Sequence, residues 1–83
     1  MKQRKLLEMM KRKSADFDSI YRVGIHCMVN ELYEDDEGFY KNHFQYATEN
    51  LDGTFNVGEQ IPETSSYTTF SDAIKAFEKF IKK

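Results

Sequence analysis

Four consecutive carboxylates, Glu34-Asp35-Asp36-Glu37, are the densest chemistry in the chain. An EF-hand loop needs oxygen ligands at spaced positions over twelve residues with a glycine at the sixth, and this run lacks that spacing. Followed by Gly38, it reads as a solvated hairpin tip whose charge suits a basic partner. His26, Cys27 and His43 are the other candidates. Neighbours on a strand face opposite ways, so His26 and Cys27 cannot share an ion. A hairpin closed at 34–38 sets Asn30 near Lys41 or Asn42 and His26 near Gln45 or Tyr46. The two histidines could share the sheet face away from the helices, but about three residues out of step, too far apart for a common metal. Cys27 falls in an apolar alternation, the setting of a buried thiol with no base beside it. Asp16 and Asp18 are a weak carboxylate pair in a connector. No serine elbow, His-Glu-x-x-His or glycine-rich phosphate loop is present. The expectation is a chain that is not an enzyme, with no cofactor and no metal.

Length sets the scale for anything these residues do. Eighty-three residues, 40% hydrophobic and 31% charged, support one small folded domain over 1–83, with a modest core and no deep enclosed cleft. A single cysteine excludes an internal disulfide. Leu6, Leu7, Met9 and Met10 are interrupted by Glu8, too short and polar a stretch for a secretory leader. No stretch approaches the roughly 18–20 apolar residues of a membrane span. The expected location is the cytoplasm, with no membrane partner.

Charge is sorted along the chain. Residues 1–13 carry six cations against Glu8, a net +5; residues 14–63 carry eleven acids against Arg22 and Lys41, a net -9; residues 64–83 return to +2. The first segment has no glycine, proline or β-branched residue, and its apolar residues share one helical side. Arg4, Lys5, Lys11 and Arg12 lie opposite, and on a helix they would form a phosphate-contacting face. That is the alternative function, a nucleic-acid-associated accessory protein. It ranks second because the acidic middle repels a phosphate backbone.

The positioning elements follow from periodicity. Tyr21, Val23, Ile25, Cys27 and Val29 alternate with polar or small neighbours, predicting one strand with a single buried face. A second strand is predicted over 39–48, and Asp52-Gly53 marks a tight turn into a third over 54–57. Residues 58–66, with the only proline, Pro62, read as loop. Phe70, Ala73, Ile74, Phe77, Phe80 and Ile81 form a helical stripe. Thr69 is placed to cap it, with Asp72 three residues on, and Glu78 and Lys82 stand at i,i+4. The predicted fold is α+β: a three-stranded antiparallel meander with N- and C-terminal helices packed on one face, in the order α-β-β-β-α.

Such a meander leaves an outer sheet face of mixed character, with Ile20, Met28, Leu32 and Phe39 among Arg22, His26, Lys41 and His43. Apolar anchors inside a charged rim suit a protein contact. The contact candidates are therefore Met28, Leu32 and Phe39 with Glu34, Asp35, Asp36 and Glu37. The expected function is a non-enzymatic protein-interaction or regulatory domain. Its partner is another protein or a second copy of the chain.

Overall fold

Turns and caps written into the sequence divide the chain into short antiparallel strands and a terminal helix. The computed structural model describes residues 17–82 and, for Lys11–Lys13, the backbone alone. Strand β1 is Lys11–Lys13, β2 Ser19–Val23, β3 His26–Asn30, β4 Tyr33–Glu34, β5 Tyr40–Lys41, β6 Phe44–Glu49 and β7 Thr54–Gln60; helix α1 is Phe70–Ile81. Five strands form one sheet in the order β1-β7-β6-β3-β2, while β4 and β5 pair as a separate two-stranded ribbon. Every pairing is antiparallel.

This architecture corrects the expected three-stranded meander. The alternation from Tyr21 to Val29 is two strands, because Gly24 turns the chain with φ +61 and Val23 pairs with His26. Glycine at the first position of a two-residue hairpin loop is the type II′ arrangement. Ile25, expected in the core, stands at the hairpin tip, 80% exposed. The second expected strand is interrupted at Asn42 and His43, giving β5 and β6, and the third runs on to Gln60. One helix is present among the described residues. The helix expected over 1–13 lies mostly outside them. Over Lys11–Lys13 the backbone is instead extended and pairs with Asn56, Phe55 and Thr54.

The hairpin also redistributes the apolar residues. Tyr21 pairs with Met28 and Ile20 with Val29, so odd positions of β2 share a face with even positions of β3. Both faces of the sheet are consequently apolar. On one, Phe17, Cys27, Val29, Ala47, Phe55 and Val57 form a buried cluster with Ile20 against it. On the other, Met28, Phe44 and Ile61 pack with Ala73 and Phe77 of α1, flanked by Tyr21, Val23 and Tyr46. The register between β6 and β7 shifts between Gln45 and Ala47. That irregularity reverses the alternation, sending Phe55 and Val57 to one cluster and Ile61 to the other. Each fully buried Phe side chain contributes about 1.5–3 kcal/mol through area removed from water.

Helix α1 forms where the stripe placed it. The Thr69 hydroxyl accepts from the Asp72 N–H at 3.1 Å, satisfying one orphan donor of the first turn. Asp72 in that turn and Lys79 in the last both suit the helix dipole. Phe77 is fully buried, edge-on to Tyr21 at 6.0 Å between ring centroids. The Tyr21 hydroxyl donates to the Glu78 carboxylate at 3.3 Å. Burial, and then the charge of Glu78, push the Tyr21 hydroxyl above its ordinary pKa.

Candidate protein-interaction surface

The residues expected to meet a partner divide between the core and a projecting ribbon. Met28 was expected outside or half outside the sheet; it is fully buried beneath α1, because the Gly24 hairpin turns that position inward. Leu32 and Phe39 are exposed, with Glu34, Asp36 and Glu37 beside them.

The ribbon extends the β3–β6 pairing in one continuous register. Asn30 faces Phe44, the Glu31 N–H donates to the His43 carbonyl at 3.1 Å, Tyr33 faces Lys41, and Glu34 faces Tyr40. Register is thus two or three residues beyond the expected pairing of Asn30 with Asn42 or Lys41. At the break in the strand, the Asn30 amide donates to Asn42 Oδ1 at 3.1 Å and accepts from the His43 N–H at 2.9 Å. Asn42 in turn donates from Nδ2 to the Thr68 carbonyl at 2.8 Å and from its backbone to the Ser66 carbonyl at 3.2 Å. These bonds fasten the segment before α1 against the ribbon's base.

Within the acidic run the four carboxylates are not equivalent. Asp35 turns back into the loop, accepting from the Glu37 and Phe39 N–H groups, each at 2.9 Å, and pairing with Lys41 at 3.2 Å. The Phe39 N–H, with further help from Lys41, holds its carboxyl below the ordinary range. Gly38, with φ +88, lets the chain reverse. The Glu34, Asp36 and Glu37 side chains remain in solvent.

The structure adds four residues that the sequence reading left out of the site. Tyr33, Tyr40, Tyr67 and Lys41 gather at this end. Phe39, Tyr40 and Tyr67 are 65%, 71% and 78% exposed. Lys41 Nζ lies 2.9 Å from the Tyr67 hydroxyl and 4.6 Å from that ring's centroid. The Tyr67 hydroxyl, then Asp35, raise the Lys41 pKa. Tyr33 packs edge-on to His43 at 6.5 Å. Tyr33 and Tyr40 flank the acids in sequence, a signal that was available. Nothing local marks Tyr67, which arrives from 26 residues beyond Lys41.

The other candidate residues are dispersed. His26 faces the helix side, contrary to the outer face expected for it, with Nδ1 2.8 Å from the Tyr46 hydroxyl. It borders a shallow hollow of about 300 Å³ with Tyr46, Phe80 and Ile81. His43 stands at the opposite end of the β3–β6 pair. Cys27 is buried, and desolvation pushes its thiol pKa up. A second open hollow of about 380 Å³ lies between the two hairpin tips, where Arg22 pairs with Glu49 at 3.0 Å. Asp18 accepts from the Leu32 N–H at 2.6 Å, anchoring the start of the ribbon; Asp16 is outside the described residues. Among the described residues no group of three or more His, Cys, Asp or Glu could hold a metal ion. No helix among them is long and apolar enough to cross a membrane. Arg4 and Lys5 lie outside the described residues, and Lys11 and Arg12 sit on extended backbone rather than on a helical face.

No family model, curated protein or solved structure matches this chain.

Proposed function

We propose that this chain is a small non-enzymatic interaction or regulatory domain, with the β4–β5 ribbon and Tyr67 as its contact surface. The observation that carries this reading is the gathering of Phe39, Tyr40 and Tyr67, all largely exposed, on a base held by the Asn30–Asn42 hydrogen bonds. Aromatic side chains displayed on a pinned framework offer large contact area at low ordering cost. Carboxylates at the rim steer encounter with an oppositely charged partner.

The test is capture of binding proteins from the native host by the wild-type chain and by Phe39→Ala/Tyr40→Ala. Both substitutions are on exposed side chains, so thermal unfolding should change little. The expected result is a partner retained by wild type and lost by the variant at unchanged stability. Identical capture by both proteins overturns the assignment of the surface. Molecular mass across a concentration series, again for both, decides whether the partner is a second copy of the chain.

A further inference from the structure

The ribbon carries the geometry for holding cations. Lys41 lies against the Tyr67 ring at 4.6 Å from its centroid, within 2.9 Å of its hydroxyl and 3.2 Å of the Asp35 carboxylate. An ammonium group is therefore already bound here by a tyrosine hydroxyl and a carboxylate together. Aromatic side chains and carboxylates recur beside it with their surfaces open. The rings of Phe39 and Tyr40 are exposed, and Glu34, Asp36 and Glu37 are exposed around the tip. None of these three carboxylates makes an ion pair among the described residues. Residues 31–37 carry five acids and no cation, which disfavours phosphate backbones and anionic lipid surfaces alike.

We propose that the β4–β5 ribbon binds a lysine- or arginine-rich segment of a partner protein, its cations lodging between ring faces and carboxylates. The proposal rests on the ribbon being the contact surface and adds the chemistry of what it takes. Ring faces attract a cation through their quadrupole, and guanidinium groups stack on them best. Carboxylates supply the long-range pull and the charge-assisted hydrogen bonds. Tyr40 and Glu34 are directly opposite across the ribbon, so ring and carboxylate stand together at one register position.

Binding of a short labelled arginine–glycine peptide to the full chain, followed by fluorescence anisotropy and amide chemical shifts, tests this. A glutamate–glycine peptide serves as control. The expected result is saturable binding of the basic peptide alone, with shifts centred on residues 31–43 and Tyr67 and affinity falling as salt rises. Glu34→Gln/Asp36→Asn/Glu37→Gln should weaken it about tenfold or more. Phe39→Ala/Tyr40→Ala, which leaves charge unchanged, should weaken it about threefold or more. Absence of saturable binding, shifts centred elsewhere, or full affinity in the aromatic variant overturns the proposal. If the peptide fails while host-protein capture still depends on Phe39 and Tyr40, the basic-segment proposal falls and the contact surface stands. If both fail, both fall.

Discussion

Asn30 and Asn42 are hydrogen-bonded side chain to side chain at 3.1 Å, and this pair joins the sheet, the ribbon and the segment leading into α1. Asn30 is buried and uses both ends of its amide, donating to Asn42 and accepting from the His43 N–H. Asn30→Ala leaves two half-buried partners, the Asn42 side chain and the His43 N–H, each short of a bond. Destabilisation of about 1–2 kcal/mol is expected, since each lost bond is worth about 0.5–1.5 kcal/mol where water can partly replace it. Urea unfolding checks this, and a loss under ~0.5 kcal/mol would show that the pair is not a structural joint.

Phe77 lies under the sheet, edge-on to Tyr21 and beside Met28 and Phe44. Phe77→Ala should cost about 3–5 kcal/mol, from lost transfer energy and the cavity left behind. In a domain this small that is a large share of total stability. Denaturant titration with a value below ~1 kcal/mol would contradict the packing of α1 on this face.

Glu63 follows Pro62 in a turn closed by the Thr64 N–H to the Ile61 carbonyl at 3.4 Å, and its φ of +67 is left-handed. A turn with proline second and a left-handed third residue favours glycine there. Glu63→Gly should be more stable than Glu63→Val by about 1–2 kcal/mol, because a β-branched side chain is the worst fit to that backbone. Melting temperatures of the two variants decide the point. The exposed Glu63–Lys79 pair, lost in both, cancels in this comparison.

Asp35 titrates below its ordinary value of 3.8, chiefly because the Phe39 N–H binds the charged form and Lys41 supports it. A depressed folded pKa contributes stability that is complete above the unfolded value. That contribution is lost as the pH falls through the folded one. Acid should therefore weaken the ribbon's tip only below pH 3.8, the ordinary aspartate value. Asp35→Asn should remove from amide-shift titrations the step of the ribbon's tip that lies below pH 3.8. A step of the same size in the variant would assign it to another carboxylate.

Local physics made part of this structure legible in the sequence. Helix α1 follows from the spacing of Phe70 to Ile81 and from Thr69, whose hydroxyl needs only residues three positions away. The Asp52-Gly53 turn is similarly local, with the Asp52 carboxylate accepting from the Thr54 N–H at 3.0 Å and the Asn50 N–H donating to the Thr54 carbonyl at 2.7 Å. The acidic run was also visible, because a block of like charges keeps most of its members in solvent, as Glu34, Asp36 and Glu37 are.

Tertiary structure alone decided which face each strand residue occupies. Alternation from Tyr21 to Val29 is the same string whether the chain runs straight or reverses at Gly24. Reversal exchanges odd for even positions, which buried Met28 and exposed Ile25. The sheet tolerates the exchange because both of its faces bury apolar clusters, and the polar residues it turns find partners, Arg22 on Glu49 and His26 on Tyr46. Tyr67 joined Lys41 for a related reason. Its position depends on Asn42 bonding to Ser66 and Thr68, contacts between segments about two dozen residues apart that no local pattern encodes.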